Sequence, residues 1–407
     1  MSPIGTYRRL GVGQVFQKNK AFSIFLIENN MLECMTPKLC THASDMKAGV
    51  SPNVFQKILE VPGQALCNLV TFHWCGGDKN AYRPFIKDWE ADGICVWSFI
   101  LPSRVVPSEK LYTLDEIASM FIQHLRTLTT KTILKENVDQ RTKAPEVFFP
   151  PNKPLILLGH SLGAMLAYES ARRLTAESEK FSAMGINLSH LIVSSASSPN
   201  ILSQMNVRDA GKGYHTYTES DLFDHIKRLG GVPAGVDEVF IRSKMKLIRA
   251  DFYTYHSYSM YHAVKFREVE CRISGKILNA RPQDLLLPET LNCDISCFAG
   301  AKDCMIDPSL MSGWNAFTTG LHHHTTFPGT HFYLMEEPAR ALFTQQVKTI
   351  AAACILRFSL LSASVKKEDA KSIEEIAASS ILPGVDATDG DGPKAGLPCF
   401  VDDANLG

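Results

Sequence analysis

The sequence predicts an α/β fold, a mostly parallel, doubly wound sheet with helices on both faces and a helical insertion over one edge. Three observations carry that prediction. Short apolar runs (Leu66–Phe72, Ile94–Leu101, Leu155–Leu158, His190–Ser195) have the character of strands buried on both faces. Segments with apolar residues at three- and four-residue steps follow several of them, so strands alternate with helices. The third is the turn Gly159-His160-Ser161-Leu162-Gly163, set between the run Leu155–Leu158 and a helix opening on Leu162, Met165, Leu166 and Tyr168. In a turn this tight, side chains two before and two after the serine would collide, so Gly159 and Gly163 are required there. Ser161 is then expected in strained backbone, its hydroxyl above the sheet at the positive end of the helix, as a nucleophile. Taken without its flanks, the pentapeptide also fits an ordinary strand-to-helix turn.

The totals narrow the class. The 407 residues allow one large domain or two modest ones. The 42 basic residues balance the 42 acidic ones, so the basic face that a nucleic-acid or anionic-membrane partner needs is not predicted. No apolar run is read as reaching the ~20 residues of a membrane span. Eleven cysteines, none in a Cys-x-x-Cys pair and several inside strand-like runs, predict a reducing, cytoplasmic location. Residues 1–63 read as an N-terminal extension; Arg8, Arg9, Lys18 and Lys20 precede the first acidic residue, Glu28, which keeps an organelle transit peptide as the alternative.

Taken in order, the first predicted strand, Leu66–Phe72, ends in His73-Trp-Cys-Gly-Gly-Asp78. A glycine pair directly after a strand and upstream of the serine turn is where a hydrolase of this architecture places its oxyanion loop, though a plain tight turn has the same composition. Ile94–Leu101 is the next strand, and Leu114–Leu128 has helical spacing. The polar stretch Lys131–Asn152 reads as a loop leading to the serine strand. After the strand His190–Ser195, residues 197–266 read as a helical lid, with a helix near Ser220–Leu229 and a concentration of aromatics with Met245. Those aromatics are more than three short helices need for their own packing, which suggests an apolar surface for a ligand; packing within the lid is the alternative.

Two strands close the sheet. Asp294–Ala299 leads to Asp303 and His324–Phe327 leads to His331, each residue just past a strand end. Ser161, Asp303 and His331 thus follow the chain order of the α/β-hydrolase triad, at the edge where parallel sheets keep their sites. The run His322-His323-His324 carries no metal expectation, because adjacent strand residues point apart and no carboxylate or cysteine stands at ligand spacing. A helix is expected over Ala339–Leu361, closing a domain of residues 64–361, and residues 362–407 read as an acidic tail, largely disordered past Leu382.

Several of these segments together resemble the type II thioesterases of polyketide and nonribosomal peptide synthetases and the medium-chain thioesterases of fatty-acid synthase. The likeness spans roughly Leu66–Thr344 and rests on Phe72-His-Trp-Cys-Gly-Gly77, Leu101-Pro-Ser-Arg104, Gly159-His-Ser-Leu-Gly-Ala164, Leu229-Gly-Gly-Val-Pro233, Arg249-Ala-Asp-Phe252, Phe298-Ala-Gly-Ala-Lys-Asp303 and Phe327-Pro-Gly-Thr-His-Phe332. The chain departs from the family in having His73 where proline is usual and Ser103 where glycine is usual. The resemblance implies a Ser161–His331–Asp303 triad, an oxyanion held by the backbone amides of Leu162 and Trp74, and no metal or organic cofactor. It further implies a monomer whose partner is an acyl carrier protein, or a synthetase, bearing acyl groups on phosphopantetheine. An oxygen-ester carboxylesterase or lipase is the rival enzyme, and a non-catalytic carrier-protein binder is the rival from another class.

Overall fold

The computed structural model describes residues 54–61, 65–105, 110–136, 149–201, 213–228, 230–232, 235–258 and 290–379. Most of the N-terminal extension, the stretch Glu268–Glu289 and the tail beyond Ser379 lie outside the described residues. The chain forms two compact units, residues 1–358 and 359–407.

The first unit is built on a seven-stranded sheet in the order β1-β3-β2-β4-β5-β6-β7. Its strands are β1 (Phe55–Leu59), β2 (Cys67–Phe72), β3 (Ile94–Phe99), β4 (Lys153–His160), β5 (Ile186–Ser194), β6 (Asp294–Gly300) and β7 (His322–Phe327). Strands β2 to β7 are parallel, while β1 joins β3 antiparallel at the edge. β1 lies inside the stretch that reads as an extension in the sequence. Alternation along each strand explains the double winding. Val70, Phe72, Trp97, Leu155 and Leu157 face one apolar layer, whereas Leu69, Val96, Ile156 and Leu158 face the other. The first layer is filled by α1 (Leu114–Glu136) and α2 (Leu162–Ala176), with α3 (Ser178–Ala183) beside β5.

α1 continues through Lys131–Glu136, which the sequence reading assigned to a loop. The segment holds no glycine or proline before Pro145, so nothing local stops the helix. The last helix, α7 (Ala339–Ser379), likewise outruns its expected end, and no proline follows until Pro383. Its part Ala339–Ser364 is long and apolar enough to span a bilayer by length and composition, which corrects the reading that no run approaches that length. In the first unit this apolarity has a packing use. Ala339, Phe343, Val347, Ile350, Ala351 and Cys354 recur at helical spacing and bury against the second face of the sheet.

The segment between β5 and β6, read from the sequence as a lid, contains α4 (Glu219–Arg228), α5 (Glu238–Ser243) and α6 (residues 245–258). Its aromatics correct an expectation. Phe223, Met245 and Phe252 are buried with Leu222, Ile226 and Ile248 in a small core of the lid's own, and Tyr214 and Tyr217 pack against it. Phe240 is exposed, and Tyr261 lies outside the described residues. Much of the aromatic surplus is therefore consumed in holding short helices together. Phe223→Ala is expected to destabilise the lid by about 3–5 kcal/mol, read as increased proteolysis or amide exchange of α4. An unchanged exchange pattern would return Phe223 to a ligand-facing role.

Candidate active site

The sheet places the site where its winding direction reverses. From β2 the chain moves outward to β3, then crosses back to β4 on β2's other side, so the C-terminal ends of β2 and β4 flank a crevice. Phe72 pairs with Gly159 across these ends, setting the loop after β2 beside the serine turn.

That turn has the geometry its glycines imply. Ser161 has φ +56° and ψ −121°, a backbone state costly for any residue with a side chain. Its amide donates to the Ser194 carbonyl at 2.8 Å, tying it to β5. A Cβ on Gly159 would lie 2.0 Å from the Gly163 carbonyl oxygen. One on Gly163 would lie 2.1 Å from the Phe72 carbonyl oxygen. Gly163 thus answers to the neighbouring strand more than to the turn itself. Leu162 opens α2 directly after the serine turn, at the helix end where first-turn amides have no partner four residues back.

Asp303 and His331 meet across the loops that leave β6 and β7. The Ala301 and Lys302 amides donate to the carbonyls of Phe327 and Gly329, at 2.7 and 2.8 Å, which draws the two loops together. His331 Nδ1 then donates to Asp303 Oδ2 at 2.9 Å, with side chains only 3% and 0% exposed. The other carboxylate oxygen, Oδ1, accepts from the amides of Met305 and Ile306 at 2.9 and 3.0 Å. Burial alone would raise the Asp303 pKa, but the His331 hydrogen bond and charge and the Ile306 amide hold it below its ordinary 3.8. Nearby Asp307 does something else: it caps a 3-10 helix, accepting from the Ser309 amide. Ser161 itself is half-buried in its turn.

Trp74 follows β2 and is buried. Its ring packs edge-on against His160 and Phe332, the neighbours of Ser161 and His331, with centroids 5.7 and 5.9 Å away. The triplet His322–His324 instead begins edge strand β7, one residue pair longer than expected.

Three residues matter here beyond those the sequence marked for the site. His160, only the variable second position of the turn pattern, is fully buried with its ring 5.0 Å from that of His331. Its Nδ1 is 2.8 Å from the Ser194 hydroxyl, which in turn lies 2.7 Å from the Tyr333 hydroxyl. Burial, and then the charge of His331, push its pKa well below 6.5, so His160 stays neutral beside its neighbour. Arg104 and Asp251 form a buried ion pair beside the loop after β2. Their motifs were legible, but a pairing 147 residues apart leaves no local signature.

Comparison with known proteins gives the family. The pattern of the thioesterase domain family matches residues 149–353, half of the chain. A thioesterase of Mycobacterium leprae, TesA, is 27% identical over 65% of this chain and 80% of its own length. The medium-chain S-acyl fatty acid synthase thioesterase of Homo sapiens is 22% identical over 75% of this chain and 95% of its own. A Brevibacillus parabrevis protein named linear gramicidin dehydrogenase LgrE is 22% identical over 73% of this chain and 92% of its own.

Proposed function

Since this chain belongs to the thioesterase family and is a thioester hydrolase, we propose that Ser161, His331 and Asp303 are its catalytic triad and that it acts on acyl groups carried by phosphopantetheine. The observation that carries the reading is the buried His331–Asp303 hydrogen bond, which joins loops at the same sheet edge as the strained serine turn.

The chemistry follows from that arrangement. Ser161 Oγ attacks the thioester carbonyl while His331 Nε2 takes the hydroxyl proton. Asp303, ionised and bonded to Nδ1, fixes the imidazole tautomer and stabilises the imidazolium. The amides of Leu162 and Trp74 receive the oxyanion; one such donor is typically worth ~3–4 kcal/mol. Collapse of the tetrahedral intermediate breaks the C–S bond, and the departing sulfur takes the proton from His331. Water, deprotonated by the same imidazole, then hydrolyses the acyl-serine.

The partner class comes from chemistry and from kin. A named relative serves fatty acid synthase, where acyl groups travel as thioesters. A carrier protein or synthetase bearing such a thioester is the partner we propose, in a biosynthetic pathway. The test compares acyl groups presented on a carrier protein, on free pantetheine and as the matching oxygen ester. Turnover is expected to fall in that order. Equal turnover of the oxygen ester and its thioester would instead support a carboxylesterase.

A further inference from the structure

Among the described residues, the lid and the loop after β2 meet at a buried polar junction. On α6, Ile248 and Asp251 stand one turn apart on the face toward the loop after β2. A Cβ on Gly76 would lie 2.9 Å from Ile248 Cγ1, so lid and loop are in van der Waals contact there. Gly76 has φ +77°, and its amide donates to Asp251 Oδ2 at 2.8 Å. Both terminal nitrogens of Arg104, just past β3, donate to the two oxygens of the same carboxylate. Arg104 Nε donates in addition to the Gly77 carbonyl at 3.1 Å. The Arg104 and Asp251 side chains are 6% and 1% exposed.

Three segments far apart in sequence are thus fastened at one point: the lid helix, the segment just past β3, and both glycines of the loop that carries Trp74. The two departures from the family pattern gather at this point. The Ser103 hydroxyl accepts from Arg104 Nη1 at 2.7 Å. His73 is fully buried and donates from Nδ1 to the Trp74 carbonyl at 3.0 Å. Burial first, and the Arg104 charge second, lower the His73 pKa to about 4, so the ring stays neutral and keeps that donor role. The Trp74 carbonyl also accepts from the Gly77 amide at 3.0 Å, closing the turn.

A buried ion pair is weak evidence for stability, because the desolvation it suffers is comparable with the attraction it gains. What it supplies is geometry, since a forked guanidinium on a carboxylate has one good arrangement. We propose that Arg104 and Asp251 are positioning residues, a latch by which the lid helix holds the 73–77 loop so that its amide meets the oxyanion. This rests on the triad reading given above. It adds that lid docking and oxyanion stabilisation are one event, which confines full activity to the lid-docked state.

The test uses the full chain and an acyl-pantetheine thioester, with active sites counted by a phosphonate probe that labels the serine nucleophile. Asp251→Asn keeps the shape and removes the charge. Arg104→Lys keeps the charge and removes the fork together with the Nε–H bond to Gly77. For each, kcat per labelled site is expected to fall about 10- to 100-fold, as for a displaced oxyanion donor, with KM within about threefold of the parent. A purely structural pair would give fewer labelled sites, each turning over at the parental rate. That result overturns the proposal, as does failure of both variants to fold, which assigns the pair to stability. Failure of the triad reading is distinguishable, because the parent would then carry no label on Ser161.

Discussion

Ser161→Ala is expected to abolish thioester hydrolysis, lowering kcat by about five to six powers of ten while the melting curve stays that of the parent. The loss should be that large because every later step depends on the acyl-serine; what remains is substrate binding and the oxyanion amides acting on water. The fold should survive because the substitution removes a single oxygen from a half-buried side chain. The bond that seats the turn is between backbones, from the Ser161 amide to the Ser194 carbonyl. Alanine tolerates φ near +56° no worse than serine, so the strain is common to both. Steady-state rates together with the phosphonate label decide the matter. A variant within about tenfold of the parent would place the nucleophile elsewhere.

Asp303→Asn is expected to cost about ten-thousandfold in kcat. The backbone amides of Met305 and Ile306 demand an acceptor at Oδ1, so an asparagine would keep its oxygen there and turn its NH2 toward His331. Facing a donor, the imidazole must then carry its proton on Nε2, where it cannot accept from serine. Asp307→Asn should leave the rate near parental, because Asp307 serves a helix cap; the reverse ranking would sink the assignment. The pH dependence follows from linkage. The Asp303 pKa lies below 3.8 in the fold, so its ionised form contributes stability above that value. This contribution fades only as pH falls through the depressed folded pKa. The asparagine variant should lack that acid-side loss of stability, which melting at low pH would reveal.

The legible part of this chain is the part written in short-range patterns. Runs such as Leu155–Leu158 mark doubly covered strands because both faces must be apolar, and the structure assigns alternate residues to the two layers. The serine turn was readable because its constraint acts over five residues. Element ends were less so: α1 and α7 run on where the sequence turns polar, since charge does not break a helix and only glycine or proline punctuates it. The lid misled for a related reason. Composition records that aromatics are abundant but not which way they face, and Phe223, Met245 and Phe252 face one another.

By itself, then, the sequence determined the alternation of strand and helix, the serine turn, and the order in which Ser161, Asp303 and His331 arrive at strand ends. Only the tertiary structure decided what those residues meet. It set His160 against His331, brought Gly163 up to the Phe72 carbonyl, and paired Arg104 with Asp251 under the glycine loop. The reason is physical. Turns and helix faces are constrained by neighbours a few residues away, so their requirements leave periodic or local traces. A contact between distant segments is satisfied by the register of the sheet and the docking of the lid, which no spacing along the chain records.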